Sequence, residues 1–134
     1  MGALSADVEG GSFGRVHDVA VRQRRILSAV RFVEMKSFTR RVTSDLSDDE
    51  YRRLQEALLL RPTRGDVIRG TGGVRKLRWG DERRGKRGAY RIIYYWHPQR
   101  SVFLMLYMYE KGEQPDLTAA QRHVLASVVK EEFT

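Results

Sequence analysis

The spacing of apolar residues changes along the chain, and each change marks an element. Arg31–Met35 alternates apolar and polar positions, the period of a strand with one buried face. Phe38, Val42 and Leu46 recur every four residues, the period of a helix, with Ser37 placed to cap it. Tyr51, Leu54, Ala57 and Leu58 form a similar stripe after Ser47-Asp48-Asp49-Glu50. That tetrad is a capping box, in which Ser47 and Glu50 each satisfy the other's free backbone N–H. Its acids also suit the positive end of the helix dipole. Pro62 ends this helix, because the residue before a proline avoids helical dihedrals.

Thr63–Gly73 is glycine-rich, with Val67 and Ile68 expected to tuck inward. It is not a phosphate cradle, since no Gly-Lys-Ser/Thr follows and it opens into a strand. Val74–Trp79 alternates, with Arg75, Leu77 and Trp79 on one face and Val74, Lys76 and Arg78 on the other. Ala89–Trp96 is almost continuously β-branched and aromatic, as a central strand requires. His97–Arg100 makes a tight turn with Pro98 second, and Ser101–Tyr109 returns as the hairpin partner. Thr118–Gln121 is a second capping box, opening a helix with Val124, Leu125, Val128 and Val129 as its stripe. The order β-α-α-β-β-β-α predicts an α+β fold: a mainly antiparallel four-stranded sheet with helices on one face. Met1–Gly14 has little to bury, and Val19–Val30, a candidate basic helix, lacks a cap. Residues 1–30 are therefore expected to be a disordered leader or a mis-assigned start, and residues 31–134 the domain.

Charge sharpens this picture. Between Arg61 and Arg100 stand twelve Lys or Arg against three acids, a local excess of nine in a chain whose net charge is +8. Arg75, Arg83, Arg84, Lys86 and Arg87 belong to this patch, whose concentration implies a polyanionic partner. The charge lies on strands and a loop, not on an amphipathic helix, which favours nucleic acid over a membrane surface. No apolar run is long enough to span a membrane. The first residues lack the apolar core of a signal peptide. The absence of cysteine excludes disulfides, thiolate metal sites and cysteine nucleophiles. Together these features suit the cytoplasm.

Arg91 interrupts the most apolar strand, sharing a face with Ile93 and Tyr95, while Lys76 and Arg78 share a face one strand away. Taken with the loop cluster they predict a phosphate-binding surface. Trp79, Tyr95, Trp96, Tyr107 and Tyr109 interleave with these cations, the mixture on which single-stranded RNA stacks. His17, His97 and His123 lie in separate segments, so no metal and no cofactor are expected. There is no nucleophile elbow. Arg, Lys and Tyr suffice for RNA transesterification, because the substrate's own 2′-hydroxyl attacks the adjacent phosphorus. The protein need only position it, stabilise equatorial charge and protonate the 5′-oxygen.

The stretches SDDEYRRLQEALLLRP, GDVIRGTGGVRKLRW, RRGKRG, YRIIYYW and LYMYEKGE, in this order, resemble HigB-type toxins of the RelE/ParE superfamily. The resemblance runs from Arg31 to about Lys130. It implies a RelE-like fold and a ribosome-dependent endoribonuclease that cuts translated mRNA. It also implies a helix-turn-helix antitoxin of the HigA type as inhibitor and oligomeric partner. By position, Lys76 and Arg78 match the family's paired basic residues, Arg91 its phosphate-stabilising arginine, and Lys111 a further basic catalytic residue. Arg84, Lys86 and Arg87 match the loop that grips RNA. Some relatives end on a tyrosine that transfers the proton; here Tyr109, before the final loop, is the candidate. The same superfamily contains gyrase poisons, and a non-catalytic RNA- or protein-binding module is the alternative from another class.

Overall fold

A computed structural model describes residues 13–23, 26–80 and 89–133. In chain order these form β1 (Phe13–Gln23), β2 (Ile26–Met35), α1 (Lys36–Asp45), α2 (Asp48–Leu60) and β3 (Asp66–Val67). There follow β4 (Arg75–Trp79), β5 (Tyr90–His97), β6 (Val102–Glu110) and α3 (Ala119–Glu132). The strands make one sheet in the order β1-β2-β6-β5-β4-β3. β2 and β6 run parallel, and the other neighbours run antiparallel. The class is α+β as expected, but the sheet is six-stranded and mixed.

Much of this difference lies in residues 13–30, expected as a leader. Residues 13–23 are the strand β1 and residues 26–30 the first half of β2, paired antiparallel. Their pattern is that of an edge strand: His17, Val19 and Val21 are half-buried while Val16, Asp18 and Ala20 are exposed. Besides its backbone pairing with β2, the strand is fastened by charged side chains, which a search for apolar runs does not see. Arg15 donates to Glu34 from Nε at 3.0 Å and Nη2 at 3.2 Å. His17 Nε2 lies 2.7 Å from the same carboxylate. Arg31 Nε donates to Asp18 at 2.9 Å. Met1–Ser12 lie outside the described residues.

The second correction concerns the faces of the sheet. Ile92 and Ile93 are adjacent in β5 and both fully buried. Successive strand residues point to opposite faces, so both faces must be covered. On one, Phe38 and Val42 of α1 and Leu54 and Leu58 of α2 pack with Phe32, Ile92, Tyr94, Phe103 and Met105. On the other, Leu125, Val128 and Val129 of α3 pack with Val74, Ile93, Leu104 and Leu106. The helices therefore sandwich the sheet and do not share one side.

Both capping boxes form. Ser47 Oγ accepts from Glu50 N and Glu50 Oε1 from Ser47 N, each at 3.1 Å; Thr118 and Gln121 do the same for α3. Ser37 does not cap α1. The helix starts one residue earlier with Met35 at its N-cap, which leaves Ser37 buried inside it with its hydroxyl unpartnered among the described residues. The glycine-rich bend turns through left-handed Gly70, Gly72 and Gly73. It is clasped by Thr71, whose hydroxyl donates to Ile68 O at 2.6 Å and accepts from Val74 N at 3.1 Å. Ile68 is half-buried, but Val67 is 55% exposed, because β3 is a two-residue edge strand with both residues uncovered.

Candidate nucleic-acid interface

The candidate site depends on a bulge. Ile93 pairs with Tyr107 but Tyr94 with Met105, so Leu106 is an extra residue in β6. The extra residue shifts the alternation, and Leu106, Tyr107 and Tyr109 all belong to the α3 side of the sheet. There Arg78 of β4 stands opposite Arg91 of β5, and Arg91 opposite Tyr109 of β6. Cross-strand partners project to the same face, so Arg78, Arg91 and Tyr109 form a row across three strands. Lys76, Ile93 and Tyr107 form the parallel row beside it.

This geometry is costly without an anion. Like charges directly opposite on neighbouring strands repel. Arg91 Nη1 and Tyr109 Oη are buried and have no hydrogen-bond partner among the described residues. Burial pushes the Tyr109 phenol up to about 12; the negative charge of Asp116 adds to this and the positive charge of Arg91 opposes it. Tyr109 thus holds its proton throughout the neutral range. Lys76 Nζ sits 3.3 Å from Asp116 Oδ1.

The remaining candidates divide. Lys111 is exposed in the turn after β6, two residues beyond Tyr109. Arg75 points to the opposite face, where its Nη1 donates to Gly65 O at 2.7 Å and Thr63 O at 3.3 Å, tying down the chain after α2. Trp79 is half-buried against the core beneath α1 and α2. Tyr95 lies on the α3 side against Phe133, ring centroids 5.5 Å apart. Arg83, Arg84, Lys86 and Arg87 lie outside the described residues.

Three features of the site escaped sequence reasoning. Asp116 is one, although its place just ahead of the second capping box, where an acid meets a helix N-terminus, was a usable signal. Gln114 is another: its Nε2 donates to Asp116 O at 2.8 Å and Gln121 Oε1 at 3.0 Å, shaping the loop into α3. The third is Arg41, whose guanidinium binds Asp45 at 2.6 Å and also Glu113, anchoring the turn that carries Lys111. No local pattern announces that contact.

Among the described residues no three His, Asp or Glu side chains group to hold a metal ion, and no helix is long and apolar enough to cross a membrane. No protein-family model matches the sequence.

Proposed function

We propose that this protein is the toxin of a toxin–antitoxin pair, a HigB-type endoribonuclease that cleaves mRNA on the translating ribosome. The observation that carries the reading is the row of Arg78, Arg91 and Tyr109 on one sheet face. Its buried donors lack acceptors among the described residues and Lys76 stands beside it. The motifs shared with HigB-type toxins support it, as does the excess of cations between Arg61 and Arg100. In this reading Arg78 and Arg91 hold the scissile phosphate and stabilise charge building on its equatorial oxygens. The 2′-oxygen attacks phosphorus and yields its proton to solvent. The P–O5′ bond breaks, and Tyr109, protonated at neutral pH, donates to the departing 5′-oxygen. The products carry 2′,3′-cyclic phosphate and 5′-hydroxyl ends, and the chemical step requires neither metal nor cofactor. The partners are the ribosome, mRNA and a helix-turn-helix antitoxin, in the cytoplasm.

The test is induced expression with mapping of mRNA 5′-ends on translated and untranslated messages. Cleavage is expected only on translated messages, leaving 5′-hydroxyl ends. Arg91→Ala should still bind ribosomes but cleave about a hundred- to a thousand-fold more slowly, the usual cost of losing one such donor. Arg91→Lys should recover part of the loss, since a point charge does not replace a bidentate fork. Undiminished cleavage by Arg91→Ala, or 5′-phosphate ends, sinks the mechanism. Trapped gyrase–DNA complexes without RNA cleavage would identify a gyrase poison instead.

A further inference from the structure

Asp116 is an anion already in place among the cations of the site. Its Oδ1 lies 3.3 Å from Lys76 Nζ and accepts a 2.8 Å bond from the Leu117 N–H, just ahead of the Thr118 cap of α3. Arg122 adds positive charge nearby, and these interactions outweigh burial to keep the carboxyl below its ordinary range. An ammonium, a backbone N–H at a helix head and a guanidinium are a set that binds phosphate. A second observation points the same way. The Tyr109 hydroxyl, in a residue 1% exposed, feels the charge of Asp116 yet has no hydrogen-bond partner among the described residues. A buried donor without an acceptor calls for an explanation. One oxygen of the carboxylate already serves both Lys76 and Leu117. A phosphate presents more oxygens, spread tetrahedrally, for Lys76 and the Leu117 N–H, while Tyr109, which feels both Asp116 and Arg91, keeps its proton for the 5′-oxygen between the two phosphates.

We propose that the Asp116 carboxylate occupies a second phosphate subsite, and that an RNA phosphate displaces it. The displacing group is the neighbour of the phosphate held by Arg78 and Arg91. The inference rests on the endoribonuclease reading. Lys76 and Arg78 are two residues apart in β4, about 7 Å along the strand, within the reach of one nucleotide of extended backbone. Adjacent phosphates of a single strand therefore fit the two positions. While Asp116 neutralises Lys76, a lone small anion gains little by entering. A polyanion that engages both subsites overcomes the competition, so the device selects strands over free phosphate.

The experiment titrates the full chain with a 2′-O-methyl RNA dodecamer, which carries the phosphates but no attacking hydroxyl, following fluorescence anisotropy over a salt series. Asp116→Asn removes the charge and keeps the shape; Asp116→Ser repeats the test with a shorter side chain, and thermal melts verify that each variant is folded. Both variants should bind about threefold to fivefold more tightly than wild type at low salt, the scale of an exposed ion pair. The slope of log affinity against log salt should steepen by about 0.7, one additional single-strand phosphate contact. Adding Lys76→Met should erase the gain. If wild type binds and the folded variants bind equally or more weakly, the subsite is refuted while the RNA reading stands. If no form shows salt-dependent binding, the subsite falls, while the endoribonuclease reading, which places cleavage on the ribosome, is judged by the 5′-end mapping.

Discussion

Glu34 shows how one residue can decide whether a strand exists. Its carboxylate is fully buried, yet it receives Arg15, Thr39 at 2.7 Å and Tyr51 at 2.6 Å, with His17 Nε2 at 2.7 Å. Burial alone would push its pKa up; the bonds from Arg15, Tyr51, Thr39 and His17 outweigh that and hold it below the ordinary value. A depressed carboxyl contributes stability at pH values above its unfolded pKa, about 4.3, and loses it as pH falls through the folded value. Glu34→Gln should therefore cost about 1–3 kcal/mol at neutral pH, read from thermal or denaturant melts, and the deficit should shrink below pH 4 or so. A deficit that stayed constant through acid would mean that packing, not charge, carries the effect. In the sequence Glu34 is merely the polar position of an alternating run. Its role depends on Arg15, His17, Thr39 and Tyr51, which come from three other elements.

At the level of elements, two serines in similar sequence contexts behave oppositely. Ser47 was legible as a cap because Glu50 stands three residues later and both bonds form. Ser37 lacks that reciprocal partner, and α1 begins a residue before it. Ser47→Ala should destabilise the protein by about 1 kcal/mol. Ser37→Ala, which removes a buried hydroxyl without a described partner, should fall within about 0.5 kcal/mol of wild type. Equal losses in melting experiments would overturn this distinction. The helices and the β4, β5 and β6 strands were readable because periodicity or caps announce them. β1 was not, because Arg15 and His17 contribute to the fold through a carboxylate in another strand. A chain starting at Val30 loses those contacts and exposes the edge of β2. It is expected to unfold or to melt well below the full chain; a melting temperature unchanged within error would show that β1 is dispensable.

On the scale of the whole molecule, the cation-rich segment Arg61–Arg100 should give the protein a directional response to charge. Reversing Arg84, Lys86 and Arg87 should reduce ribosome or RNA binding far more than reversing Arg52 and Arg53, which are exposed on α2; equal reductions would mean that only net charge matters. The row of Arg78 and Arg91 was visible in the alternation of β4 and β5. Tyr109's place beside it depends on the bulge at Leu106, and the company of Asp116 on how the last loop closes, neither of which has a local signature. The parallel pairing of Arg31 with Val102 and Glu34 with Met105 has a further consequence, in the order of synthesis. The β1–β2 pair leaves the ribosome well before β6, the strand on which it docks, and before α3. Contacts this distant in sequence slow folding. The nascent chain must carry an unpaired edge of β2 until β6 follows, and the face bearing Arg91 is assembled only when β6 and α3 have emerged. The proposed toxin would then gain its row of Arg78, Arg91 and Tyr109 only after β6 has been made.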